Sequence, residues 1–138
     1  MKVLFICQLN SVRSPMAEGL LRKQLGEMAE VKSCGLSPVE PNDFMLSVMN
    51  EVGIDMSEHN PLSLASVQDD TFDRIIAFTA SAQAAAEAAF EDRETPIELW
   101  AVPDPGEGSH DVRAMLNNYR AIRSNIGARL EREFAHGH

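Results

Sequence analysis

Apolar and polar positions along this chain alternate between two kinds of pattern. Short apolar runs, bounded by polar or turn residues, read as strands buried on both faces. Lys2–Ile6, Val31–Cys34, Arg74–Phe78 and Ile97–Trp100 are four of these. Between them lie segments of helical period. A first helix is expected over Ser14–Met28. A second is expected over Asp43–Val52, with Asn42 as its cap, Gly53 as its stop, and Phe44, Met45, Val48, Met49 and Val52 as its apolar stripe. Leu62–Val67 reads as a short helical turn, and Ser81 as the cap of an alanine-rich helix ending at Phe90. The last helix is expected over Ser109–Phe134, burying Val112, Leu116, Tyr119, Ile122, Ile126 and Leu130. Strands alternating with helices imply an α/β fold of three layers. The expectation is a four-stranded parallel sheet flanked by helices, flavodoxin-like, in one domain over residues 1–138.

Where the first apolar run ends stands Cys7, followed by Gln8-Leu9-Asn10-Ser11-Val12-Arg13-Ser14-Pro15. In open parallel sheets, ligands bind beyond the carboxyl ends of the strands. A sharp loop there turns its backbone N–H groups toward one anion, and the helix that follows adds its positive end. Pro15 fits the first helical turn, where a missing N–H is no loss. The planar fork of Arg13 matches two oxygens of a phosphate. An electropositive site of this kind also favours a thiolate over a thiol, which makes Cys7 a candidate nucleophile. Cysteines that close strands are as a rule core residues. Here the polar loop, the arginine and the Ser-Pro helix start favour chemistry. Ser14 is placed to donate a hydrogen bond to the sulfur.

Asp104 supplies what a phosphoester still needs, a proton for the leaving oxygen. It follows the fourth strand and sits between Pro103 and Pro105, which fix the local backbone. Its loop is expected at the same sheet edge as Cys7. Pro-Asp-Pro-Gly is by itself ordinary turn chemistry, and it gains meaning only from Cys7 and Arg13.

With these segments in order, the chain resembles the low-molecular-weight protein tyrosine phosphatases, whose fold is shared by arsenate reductases. The family loop runs Cys-x-Gly-Asn-x-Cys-Arg-Ser-Pro, matched here by Cys7, Asn10, Arg13, Ser14 and Pro15. Met16-Ala17-Glu18 is similar to its continuation, Ser33-Cys34-Gly35 to its Ser-Ala-Gly, Gly53–His59 to its Gly-Ile-Asp-x-Ser-x-His, and Asp104-Pro105 to its acid motif. The resemblance implies that Cys7 takes the phosphoryl group, that Arg13 holds the equatorial oxygens, and that Asp104 protonates the leaving group and then activates water. Gln8, Leu9, Asn10, Ser11, Val12 and Ser14 are the implied binding loop. The implied substrate is a phosphotyrosine protein or a small aryl phosphate, with inorganic phosphate or another oxyanion as ligand. No metal or organic cofactor is implied.

Three positions depart from the family. Leu9 replaces the loop glycine, Val12 the second loop cysteine, and Gly106 the tyrosine that often follows Asp-Pro. Anion binding is therefore better supported than phosphotyrosine specificity. The alternatives are arsenate reduction and a phosphate- or phosphoprotein-binding module with little turnover. Thioredoxin-coupled arsenate reductases use two further cysteines after the third strand, and Thr79–Glu94 contains none, so an external thiol would be required.

Charge narrows the partners. A formal net charge of −9 argues against nucleic acid and anionic membranes. It also repels acidic phosphopeptides that lack basic residues. The two cysteines make no disulfide framework, and Cys34 reads as core. The apolar N-terminal run is too short for a signal peptide, so a cytoplasmic protein is expected, and nothing demands more than a monomer. Trp100 reads as a packing residue, His59 as a surface or capping histidine in preference to a hydrogen-bonding support for the loop, and Asp69-Asp70 as a solvated loop. His110, His136 and His138 form no plausible metal site with one another.

Overall fold

The central strand is apolar from Val3 to Cys7 because it is covered on both faces. In the computed structural model, which describes residues 1–105 and 111–135, β1 (Lys2–Cys7) lies between β2 (Glu30–Gly35) and β3 (Arg74–Ala77). The edge strand β4 (Ile97–Leu99) completes the order β2-β1-β3-β4, and every pairing is parallel. Successive side chains of β1 alternate between two cores. Val3, Phe5 and Cys7 face α1 (Arg13–Leu25), α2 (Asp43–Asn50) and α5 (Val112–Glu133). Leu4 and Ile6 face α3 (Leu64–Val67) and α4 (Ala80–Ala89). This is the α/β, flavodoxin-like, three-layer architecture. The chain leaves β1 toward β2 on one side and later returns to β3 on the other, so the switch point of the sheet falls where β1 ends at Cys7.

Several boundaries differ from those read off the sequence. The first helix gives way after Leu25 to a 3-10 turn, Gly26–Met28, because Gly26 takes φ +55°. Thr79, not Ser81, caps α4: its hydroxyl accepts from Ala82 N at 3.0 Å, while Ser81 lies inside the helix. The last helix starts at Val112 behind the Asp111 cap, whose carboxylate accepts from Arg113 N. The expected start at Ser109 falls outside the described residues, as do Gly106, His110, His136 and His138. Val112, expected in the buried face, is 60% exposed.

Trp100 is core, 2% exposed, between Phe5, Phe78 and the guanidinium of Arg129. Asp70 is no solvated loop residue: it accepts from Lys2 and Lys32 and so ties the loop before β3 to the starts of β1 and β2. Those two lysines hold its carboxyl far below the usual carboxylate range. No helix among the described residues is long and apolar enough to cross a membrane.

Glu51, at the end of α2, receives Arg120 and Arg123 of α5. These guanidinium contacts, Arg120 first, lower its pKa from the ordinary 4.5 to about 2. A folded-state pKa below the unfolded one gives stability that is present above pH 4.5 and lost as the pH falls toward about 2. Glu51→Gln is therefore expected to lower the urea midpoint at neutral pH, with the difference from wild type shrinking as the pH approaches 2.

Candidate active site

A loop that turns this tightly needs one residue in a left-handed conformation, and Asn10 supplies it with φ 54°. Asn10 is fully buried, and its carboxamide is used on both ends. The oxygen accepts from Leu62 N at 3.0 Å and meets His59 Nε2 at 3.2 Å. The nitrogen donates to Ser14 Oγ and Ser33 Oγ, both at 2.9 Å. Backbone bonds from Leu36, Ser37 and Val39 to the carbonyls of Cys7, Gln8 and Leu9 zip the loop to the segment after β2. The approach is so close that only glycine fits at position 35. A Cβ there would lie 2.7 Å from Asn10 N and 2.9 Å from the Leu9 carbonyl carbon.

The sulfur of Cys7 lies 2.8 Å from Ser14 Oγ. Ser14 Oγ accepts from Asn10, which leaves its own proton to share between the nearer Cys7 sulfur and the Cys34 carbonyl at 3.4 Å. Arg13 opens α1, and its guanidinium donates to Val102 O at 2.9 Å. Cys7, Leu9, Arg13, Asn42, Asp104 and Tyr119 share one cavity of about 170 Å³, which Ser11 and Val12 complete. Asp104 reaches it because the chain beyond β4 stays bonded to the end of β3, through Trp100 N to Ala77 O and Val102 N to Phe78 O. The three residues singled out for chemistry therefore converge. A thiol, a guanidinium and a helix N-terminus surround a space of anion size, and a carboxyl group stands over it.

The proposed binding loop divides into two sets. Leu9, Ser11 and Val12 line the cavity. The side chains of Asn10 and Ser14 lie underneath, both fully buried, and hold the loop instead of facing the ligand. Gln8 turns away and accepts from Ser81 Oγ at 3.3 Å. His59 is neither at the surface nor a cap: its side chain is 4% exposed and braces Asn10, with Glu18 3.9 Å away. Glu18 in turn accepts from Ser33 Oγ at 2.5 Å and pairs with Arg22. Cys34 sits beside Ile6 in the other core, on the opposite sheet face from Cys7. Burial first, and then the nearby Cys7 sulfur, push its thiol up to about 12.

Two cavity residues were read from the sequence only as structural, Asn42 as a helix cap and Tyr119 as a core position. Asn42 does cap α2, and its N–H also donates to Ser11 O at 3.1 Å. No local spacing ties either residue to Cys7, since the fold alone brings them together. No cluster of three metal-ligating side chains occurs among the described residues.

Fold and site together define an α/β protein with a cysteine, an arginine and a carboxyl group gathered at the switch point of its sheet. The chain belongs to the low molecular weight phosphotyrosine protein phosphatase family, whose model matches residues 2–136. An arsenate reductase of Shouchella clausii is 31% identical over 132 residues, covering 94% of this chain and 92% of that protein. Among solved structures, an arsenate reductase in its phosphate-binding state is 29% identical with TM-score 0.80, covering 97% of this chain and 96% of that one. A low molecular weight protein tyrosine phosphatase from T. tengcongensis is 25% identical with TM-score 0.82, covering 98% of each chain. The family thus contains relatives of both names, phosphatase and arsenate reductase.

Gly35 is a direct test of the loop. Gly35→Ala forces the Asn10 backbone to move, and inorganic phosphate is expected to bind at least tenfold more weakly by calorimetry, in a protein whose circular dichroism is unchanged.

Proposed function

We propose that this chain hydrolyses phosphomonoesters through a cysteinyl-phosphate, with phosphotyrosine proteins or small aryl phosphates as its substrate class. The observation that carries this reading is the presence of Asp104 in the same cavity as Cys7 and Arg13. Breaking a phosphoester requires a proton at the leaving oxygen, and a carboxyl group over the loop meets that need. Reduction of arsenate has no ester oxygen to protonate.

The steps follow from the chemistry of these groups. The Cys7 thiolate attacks phosphorus while Arg13 and the loop N–H groups hold the equatorial oxygens. The P–O bond breaks, and Asp104 gives its proton to the leaving oxygen. Asp104, now a carboxylate, takes a proton from water, which attacks phosphorus and releases the Cys7 thiolate. Ser14 donates to the sulfur whenever it carries charge, which aids its departure. Leu9, Ser11 and Val12 form the wall of the site.

A second reading, arsenate reduction, is favoured by relatives near 30% identity that are named arsenate reductases. Reducing arsenate to arsenite needs two electrons, and hence two thiols. Cys34 is the only other cysteine in the chain, and it is buried on the far face of the sheet. The second thiol would have to come from outside, and one of the relatives is named a glutaredoxin arsenate reductase.

Two measurements separate these readings. Cys7→Ser is expected to lower metal-free hydrolysis of p-nitrophenyl phosphate by roughly three orders of magnitude or more. Asp104→Asn is expected to slow esters of poor leaving groups by roughly 100-fold or more and those of good leaving groups much less. Equal loss on all esters would remove Asp104 from the role of acid. Absent hydrolysis alongside arsenite production with glutathione or glutaredoxin would replace the phosphatase reading with the second.

For the same reason, iodoacetamide at neutral pH is expected to modify Cys7 and spare Cys34 in the folded protein. Mass spectrometry after digestion reads this directly.

A further inference from the structure

Tyr119 is an unexpected member of the cavity. It lies on α5, is 3% exposed, and packs its ring against Phe44 with centroids 5.4 Å apart. A tyrosine whose ring alone mattered would do no more than fill the space between α2 and α5. Tyr119 also lines the same cavity as Cys7, Arg13 and Asp104.

The bonding of Asn42 fixes what the Tyr119 hydroxyl can do. The Asn42 side-chain oxygen is taken by Phe44 N at 2.8 Å and Met45 N at 3.1 Å. Its remaining polar group is the NH₂, which is a donor only. Toward the Tyr119 phenol Asn42 can therefore act only as a donor, and its amide opposes the rise of the phenol's pKa. A donor on that side leaves the phenol proton for another acceptor. Within the cavity that proton can serve an acceptor, and the acceptor facing it is the Asp104 carboxylate.

We propose that Tyr119 is a positioning residue for Asp104: its phenol O–H donates to the carboxylate after Asp104 has given up its proton, and aims it at the water that must attack next. The inference rests on the phosphatase reading for its catalytic consequence, and for the contact on the one small cavity that both side chains line. The electrostatics agree. Burial first, and then the negative charge of Asp104, raise the phenol above its ordinary pKa, against the opposing bond from Asn42. The phenol is therefore a proton-bearing group throughout the neutral range. The other charged or titratable groups facing the same space are Cys7 and Arg13, while the neighbouring Arg120 on α5 is engaged by Glu51.

The step in which this contact counts is the second. When Asp104 is protonated for the first step, it needs no donor. Once it is a carboxylate, a donor holds it in place and in the charged form that accepts a proton from water. Loss of Tyr119 O–H should therefore act on kcat, and most with good leaving groups, whose turnover is limited by hydrolysis of the cysteinyl-phosphate. KM should change little.

Tyr119 is the single tyrosine in the chain, so phenolate absorbance in the ultraviolet follows it alone. The first measurement is that titration in wild type and in Asp104→Asn, whose exposed substitution leaves the core untouched. A lower phenol pKa in Asp104→Asn supports the contact, and an unchanged titration overturns it. The second is steady-state hydrolysis of p-nitrophenyl phosphate by Tyr119→Phe, which removes only the hydroxyl. A roughly tenfold fall in kcat, with KM and the melting temperature little changed, supports the positioning role. An unchanged kcat overturns it. If wild type itself shows no Cys7-dependent hydrolysis, the phosphatase reading fails, and the titration still decides whether Tyr119 and Asp104 meet.

Discussion

The carboxamide of Asn10 is the constraint on which the site depends. A left-handed residue in a buried loop is strained unless its surroundings leave it no alternative. Here four elements meet on one side chain: Ser14 on α1, Ser33 on β2, His59, and the backbone N–H of Leu62. Without Asn10 the Leu62 N–H would lose its partner, at a cost of about 1–3 kcal/mol, while Ser14 and Ser33 would each lose a donor and keep their bonds to Cys7 and Glu18. The polar atoms thus fix the loop more sharply than apolar packing could, since an apolar contact tolerates sliding and a pair of directed bonds does not. Glycine at 35 gives the loop the room it needs beside β2.

The same bonds reach the reactive atom. Asn10 donates to Ser14, and Ser14 faces the sulfur of Cys7. Behind Asn10, Ser33 leads to Glu18 and on to Arg22 at the protein surface. A chain of polar groups therefore runs from solvent, under the loop, to the nucleophile. This network orients Ser14 without placing a full positive charge against the sulfur. The charge that favours an anion comes instead from Arg13 and the end of α1, both on the ligand's side. On a protein of net charge −9, that makes the cavity a local positive focus.

Most of the fold was legible because its signals are local. The apolar run of β1 from Val3 to Cys7, the Asn42 cap with its stripe of methionines, and the long period of α5 each state their element within a few residues. Cys7, Arg13 and Asp104 were legible for a different reason: a nucleophile, a guanidinium and an acid placed after strands of a parallel sheet must all emerge at one edge. The features missed are those that need the third dimension. Thr79 outcompeted Ser81 because the helix begins earlier than the alanine run suggests. The burial of His59 and the cavity position of Tyr119 follow from packing between distant segments, and in sequence each looks like many other residues of its type. Grouping Asn10 and Ser14 with the ligand-facing residues came from reading a loop as a line, when it is a shell with an inner and an outer surface; the contact expected between Ser14 and the Cys7 sulfur is present.

Arg13 has a second duty with a bearing on how such a chain changes over evolutionary time. One guanidinium N–H holds Val102 O, and Asn118 holds Pro105 O from α5. The stretch carrying Asp104 is thus pinned at both ends, by Arg13 of α1 at Val102 and by Asn118 of α5 at Pro105. Drift at Arg13 has little room: a lysine could replace the charge but not the planar fork, which holds Val102 O and, on the phosphatase reading, a phosphate as well.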